Sequence, residues 1–262
     1  MTENRIKRRI KQGRLAVGTY VLLRDPAIIE IIGLAGFDAA FIDMEHTCFE
    51  MAMVEDCIRA CDLAGIASIV RVPENNSSHI LRVLEAGAQC VQAPHVQSVE
   101  DAVRAVKAVR YAPLGERSVA PSTRAARYGA IGIEEHMAAS NAGVLLAVMV
   151  EDMKAVEHLA DIASVPGVDL IAVGPNDLSA AMGAFGPADP ALRNAIEGIA
   201  ETIRRVGKAK MTFPLDSPAY PLNAAQLQQM GVVYANCGPT VVDILFGALK
   251  RRVADIEAQI GP

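Results

Sequence analysis

One pattern constrains this chain more than any other: an amphipathic helix, a glycine, then a short apolar run, repeated eight times. The apolar runs fall at 15–20, 39–43, 67–71, 89–93, 144–150, 169–173, 209–213 and 232–236. Their length and near-continuous apolar character are those of strands buried on both faces. Glycines 13, 36, 65, 87, 143, 167, 207 and 231 precede them, where a left-handed residue closes a helix. Helix starts are marked as well. Asp25-Pro26 and Asp189-Pro190 each set a capping carboxylate before a first-turn proline. Ser98 with Asp101 resembles a capping box, and Val99, Ala102, Val103, Val106 and Val109 keep the helical period that follows. Eight strands alternating with helices in 262 residues predict an eight-stranded parallel β/α barrel of the TIM type, as one domain over 1–262. The rival, a doubly wound open sheet, would carry a glycine-rich phosphate turn after its first strand. Here that place reads Tyr20-Val21-Leu22-Leu23-Arg24.

Composition narrows the function classes. Apolar runs are short and broken by charge or glycine, so none is a membrane span. A net charge of -5 gives no general attraction to nucleic acid or an anionic membrane. Residues 1–7 lack the apolar region of a secretory signal, and the five cysteines are odd in number, which together suggest reduced thiols in the cytoplasm. Cys57 and Cys61 lie one helical turn apart, but Cys48, Cys90 and Cys237 add no zinc-type spacing.

Two segments exceed a minimal barrel. An amphipathic stretch at 5–11 precedes the first strand and is placed to plug the bottom of the barrel. The connection 110–141 is too long for a simple loop and holds Arg117, Arg124 and Arg127. Those arginines either cover an anionic ligand or bind neighbouring carboxylates or a second subunit.

Barrels of this type carry their sites at the carboxyl ends of the strands. The second strand ends in Asp43-Met44-Glu45-His46, the third in Arg71, the fourth in Gln92 and then His95, the fifth in Glu151-Asp152. The sixth ends in Gly174-Pro175-Asn176-Asp177, followed by a helix start. Desolvated charges are costly unless paired, so a cluster on one rim implies chemistry or an Arg–carboxylate network that closes the barrel mouth. Glu151 and Asp177 come from adjacent strands. With no cysteine beside them they favour a hard divalent cation, Mg²⁺ or Mn²⁺, with open positions for the oxygens of a 2-oxo acid. Asn176 would then cap the helix and leave Asp177 to the metal; the bland alternative is that either residue only caps. Arg71 would neutralise enolate charge, His46 would move a proton, and Asp43 and Glu45 would orient it. A Schiff base would require Lys210 to face the interior. His79, His136 and His158 read as surface or helix residues.

These residues resemble the HpcH/HpaI aldolases, metal-dependent pyruvate aldolases. The likeness runs through Phe41-Ile42-Asp43-Met44-Glu45-His46, Val70-Arg71-Val72-Pro73 and Glu85-Ala86-Gly87-Ala88-Gln89. It continues through Pro94-His95-Val96-Gln97, Arg110-Tyr111-Ala112-Pro113-Leu114-Gly115-Glu116-Arg117, Val150-Glu151 and Val173-Gly174-Pro175-Asn176-Asp177-Leu178-Ser179. The resemblance implies reversible cleavage of a 4-hydroxy-2-oxo acid to pyruvate and an aldehyde through a metal-bound enolate. It matches the metal ligands to Glu151 and Asp177, with Mg²⁺, Mn²⁺ or Co²⁺ as the metal. The catalytic residues match His46, Arg71 and Asp43, and the backbone at Gly174 and Pro175 seats the substrate carboxylate. It also implies a trimer of dimers with the last helix exchanged, for which Val241, Ile244, Leu245 and Leu249 suit. Related readings are an oxaloacetate decarboxylase, a citrate lyase β-like acyl-CoA lyase, and, from another class, a metal-binding barrel without catalysis.

The chain departs from the family pattern in places. Many members carry Gln where this chain has Met149, and a thioether cannot donate a hydrogen bond to an enolate oxygen. Tyr20 stands where Trp is frequent, and 236–240 differs from the more usual Gly-x-Asp-Thr. That segment and Leu215 are where altered substrate specificity is expected.

Overall fold

The computed structural model describes residues 3–186 and 189–260. Its strands are β1 Ala16–Val21, β2 Ala39–Asp43, β3 Ala67–Arg71, β4 Cys90–Ala93, β5 Leu145–Val150, β6 Leu170–Val173, β7 Lys210–Thr212 and β8 Val232–Cys237. They lie in sequence order in a closed barrel, every neighbouring pair parallel and β1 paired with β8. The expected TIM barrel is the observed fold, and each strand end falls within one residue of the apolar run that predicted it. The glycine after each helix takes the left-handed conformation, apart from Gly143, which belongs to helix Ile133–Gly143.

Both strand faces are buried, and the two faces build different cores. Outward residues such as Ile42, Val70, Val91 and Val148 pack with the surrounding helices in one large cluster. Inward residues, among them Ala39, Phe41, Ile69 and Ala147, form a smaller one. Eight strands leave little interior room, so small and large side chains must interlock there. Gly18 shows the limit: a Cβ at that position would lie 2.1 Å from the Tyr234 hydroxyl oxygen. The Tyr20 and Phe41 rings meet edge to face, with centroids 4.9 Å apart.

The amino-terminal helix Arg5–Lys11 closes the bottom as expected. Asn4 caps it by accepting from the N–H groups of Ile6 and Lys7, and its own amide donates to the Gln89 carbonyl. Ile6 is fully buried in the inner cluster, and Arg5 and Arg9 each bond Asp38 at 2.9 Å.

The long connection resolves into loop, a short turn of helix and helix Ile133–Gly143, and its Arg117 and Arg124 serve the scaffold. Arg117 donates to Glu85 at 2.7 Å and lies over the Tyr111 ring, while Arg124 bonds the Ala86 carbonyl and pairs with Asp62. Glu85 and Ala86 end a helix and Asp62 is in the last turn of another, on the face of the barrel away from the strand carboxyl ends. For Arg117 and Arg124, binding to neighbouring carboxylates is the reading observed. Lys210 is exposed at the amino-terminal end of β7, the opposite end of the barrel from the strand carboxyl ends, so it is not placed to form a Schiff base at the site. His136 is buried on its helix, its ring 3.0 Å from the Tyr111 hydroxyl.

Among the described residues no helix is long and apolar enough to cross a membrane. The last helix, Val241–Ile260, buries none of its residues and exposes Ile244, Leu245, Phe246, Leu249, Val253, Ile256 and Ile260.

Candidate active site

Two-residue alternation inside the barrel carries the functional side chains to one rim. On β2 the inward sequence is Ala39, Phe41, Asp43; on β3 it is Ala67, Ile69, Arg71. On β5 it is Leu145, Ala147, Met149, and then Glu151 just beyond the strand. Each strand thus places apolar side chains at its lower levels and a polar one at its carboxyl end. The strand register sets Asp43 beside Arg71 and Arg71 beside Gln92.

Asp43 and Arg71 form a buried bidentate pair, Nε to Oδ1 at 2.9 Å and Nη2 to Oδ2 at 2.6 Å. Arg71 Nη1 also stands 2.9 Å from Glu45 Oε2. Burial works against the Arg71 charge, and the Asp43 and Glu45 carboxylates outweigh it, so its pKa is held above the usual arginine value. The same Asp43 Oδ1 accepts the N–H groups of Glu45 at 3.0 Å and His46 at 3.4 Å, and the Thr47 hydroxyl donates to the Asp43 carbonyl. Asp43 therefore fixes both the guanidinium plane and the turn that presents the exposed His46 ring.

A chain of ionic contacts continues from Arg71 toward β5. Glu45 Oε1 is 2.8 Å from His95 Nε2, and His95 Nδ1 is 2.9 Å from Glu151 Oε1. The His95 backbone N–H donates to that same Glu151 oxygen at 2.8 Å. His95 reaches this position with a φ of 54°, the left-handed region that a residue with a side chain seldom occupies. Strand ends identify Glu45 and His95 as rim residues but not as the bridge between Arg71 and Glu151. The backbone turn at His95, which makes the bridge, leaves no signal in hydrophobic periodicity.

Burial pushes the Glu151 carboxyl up, the Glu45 and Asp177 charges push it further, and His95 offsets only part of this. β6 ends close against it: a Cβ on Gly174 would lie 2.9 Å from Glu151 Cβ and 3.4 Å from Oε2. Gly174 is also the cap position of helix Pro175–Met182, which has no side-chain cap. This corrects the expectation for Asn176. With Pro175 at the first helical position the helix starts earlier, so Asn176 lies inside the first turn and its Oδ1 accepts from the Ser217 hydroxyl at 3.4 Å. Asp177 follows on that turn, exposed to the cavity. The N–H groups of Asn176 and Asp177 make no hydrogen bond to any described residue.

A cavity of about 680 Å³ opens here, within the range of small-molecule sites. Asp43, His46, Arg71, Met149, Gly174, Pro175, Asp177 and Leu215 line it, and Glu151 stands beside it against Gly174. Met149 lies with its sulfur 3.7 Å from Arg71 Nη1. Leu215 is pinned to the end of β8, its N–H donating to the Asn236 carbonyl at 2.8 Å and its carbonyl accepting from Gly238 at 3.0 Å. Among the described residues no three His, Cys, Asp or Glu side chains are gathered to hold a metal alone. The Glu151 and Asp177 pair fits a hard divalent cation nonetheless: both donors are carboxylates, and a positive ion would relieve the repulsion that raises Glu151. The cysteines do not compete for such a cation. Cys57 and Cys61 are buried on helix Met51–Ala64, and burial pushes the Cys57 thiol up to about 11.

A parallel β/α barrel with carboxylates, an arginine and an imidazole gathered around the strand carboxyl ends has the layout of a barrel enzyme. Comparison with known proteins gives the particular family. Residues 16–231 match the model of the HpcH/HpaI aldolase/citrate lyase family, and the chain belongs to it. It is 35% identical over 206 residues to a 5-keto-4-deoxy-D-glucarate aldolase of Citrobacter koseri, covering 78% of this chain and 79% of that one. It is 33% identical over 220 residues to a hydroxypyruvate/pyruvate aldolase of Paraburkholderia phytofirmans, covering 81% and 84%. A crystal structure of an HpcH/HpaI aldolase from Desulfitobacterium hafniense superposes with a TM-score of 0.85 at 27% identity, covering 95% of each chain. The protein is a carbon–carbon lyase of a family that is generally metal-dependent.

The raised Glu151 pKa gives a stability prediction for the metal-free protein. A carboxyl whose folded pKa lies above its unfolded one contributes stability at low pH that is lost as pH rises through the raised value, so above the ordinary carboxylate range its burial costs stability. Glu151→Gln should therefore raise the melting temperature in EDTA at pH 7 and shrink the further gain on adding Mn²⁺. A lower melting temperature in EDTA would contradict this description of the site.

Proposed function

We propose that this chain is a single-domain, metal-dependent aldolase that reversibly cleaves a 4-hydroxy-2-oxo acid to pyruvate and an aldehyde. The observation that supports this reading best is the placement of Arg71, locked by Asp43, at the same mouth as Glu151 and Asp177. Glu151 and Asp177 would hold Mg²⁺ or Mn²⁺, with Co²⁺ also suited, and the ion would supply Lewis-acid polarisation of the 2-oxo group.

The remaining work falls to the chain itself. The free N–H groups of the first turn of helix Pro175–Met182 suit a substrate carboxylate, and Gly174 and Pro175 let it approach the backbone. Arg71 faces the oxygen on which negative charge grows as the bond between C3 and C4 breaks. His46, directly or through a water, takes the 4-hydroxyl proton as that oxygen becomes the aldehyde carbonyl. The bonding electrons pass to C3 and the 2-oxo group, and protonation at C3 gives pyruvate. Asp43 holds Arg71 and the His46 turn in register for these steps. Leu215 and Met149 shape the cavity in which the substrate lies.

Purified protein supplied with Mg²⁺, Mn²⁺ or Co²⁺ should release pyruvate from 4-hydroxy-2-oxo acids, with 5-keto-4-deoxy-D-glucarate the first to try, given the aldolase of Citrobacter koseri. EDTA should abolish release and added metal should restore it. Release that persists without metal would contradict the mechanism. Faster turnover of oxaloacetate than of any hydroxy acid would instead make the enzyme a decarboxylase.

We also propose a homo-oligomer, a trimer of dimers, formed through helix Val241–Ile260. A 20-residue helix with none of its residues buried and seven large apolar side chains exposed is typical of an interface element rather than a free surface. Light scattering should give a hexamer, and Leu249→Asp with Ile256→Asp should yield smaller species. A monomeric parent protein would refute this. The five free cysteines accord with a reducing cytoplasm.

A further inference from the structure

Gln92 is a polar side chain that lines the cavity without a partner among the described residues. It lies on β4, 7% exposed, between Arg71 on β3 and Ala147 on β5 in the strand register. Alternation from Cys90, which belongs to the inner cluster, turns Gln92 inward, and the residue lines the cavity. Its backbone carbonyl accepts from Val72, but its carboxamide makes no hydrogen bond to any described residue. Buried amides are paired as a rule, so a carboxamide left open to a cavity is matched to whatever enters that cavity.

The neighbouring Met149 sharpens the point. Its sulfur contacts Arg71 Nη1 at 3.7 Å and has no proton to donate. β5 therefore offers the substrate no neutral donor at the level of Arg71, whereas β4 does. We propose that the Gln92 carboxamide donates to the 2-oxo oxygen of the substrate and, with Arg71, brackets the charge that develops there. The donor that Met149 cannot supply from β5 comes from the adjacent strand. This rests on the aldolase reading and adds to it a substrate-contacting residue with a stated atom.

The test uses the Mn²⁺-loaded full chain and Gln92→Met, which keeps the length of the side chain and removes the amide. One readout is exchange of the pyruvate methyl protons in D₂O, which reports enolate formation without any aldehyde. The second is binding of oxalate, whose adjacent carboxylates imitate a carboxylate beside an enolate oxygen. Q92M should slow exchange roughly 100-fold and weaken oxalate about tenfold, with Mn²⁺ affinity changed less than about twofold. Adding Met149→Gln should restore at least about tenfold of the lost exchange by returning a carboxamide from β5. Exchange and oxalate affinity both within about twofold of the parent would overturn the inference. If the parent protein binds oxalate but never exchanges pyruvate, the aldolase reading fails, and the oxalate comparison alone judges Gln92. If Q92M does not fold, Gln92→Asn, which withdraws the amide by one methylene, is read by the same criteria.

Discussion

The site depends on one buried ion pair, Asp43 with Arg71. An arginine this deep is tolerable only if its charge is met, and Asp43 meets it in a bidentate geometry while the Glu45 carboxylate stands 2.9 Å from a third nitrogen. Such a pair is poor evidence for stability, because its desolvation cost offsets much of its attraction. Its value here is orientational. The carboxylate that aims the guanidinium also holds the 43–47 turn, so the position of His46 follows from the position of Arg71. A change at either partner is transmitted to the His46 turn without touching the His46 side chain.

The barrel makes this arrangement possible by alternation. Apolar inward residues fill the lower levels and leave the last inward place on several strands for charge. That regularity is why so much of the fold and site is legible in the amino-acid sequence. The strands and the rim residues Asp43, Arg71, Glu151 and Asp177 all follow from short apolar runs and what stands at their ends. What stays illegible depends on partners distant in sequence or on a local backbone choice. Asn176 reads as the cap of a helix that Pro175 instead starts two positions earlier. Arg117 and Arg124 pair with Glu85 and Asp62, over 30 residues away, which no local pattern announces. The His95 bridge exists because one residue takes a left-handed backbone conformation after β4.

The residues around the mouth of this family member differ in places from the pattern its motifs resemble. Met149 has no proton to donate from β5, and on β4 the Gln92 carboxamide, beside Arg71 in the register, is the donor proposed in its place. Around this centre, Leu215 is tied to the end of β8 by two backbone hydrogen bonds, so that wall of the cavity is firmly placed. A shared scaffold with relocated polar groups is how a barrel changes preference without changing fold.

The central claim, that Asp43 and Arg71 act as one unit, is tested most directly by a double-mutant cycle. The rate of metal-dependent pyruvate release, as kcat/KM, would be measured for Asp43→Asn, Arg71→Lys and the double variant. Each single change should cost on the order of 100-fold, and the double variant should lose little more than the worse single. Losses that multiply, near 10⁴-fold in the double variant by the same order-of-magnitude reasoning, would show that the two residues contribute independently and would contradict the account.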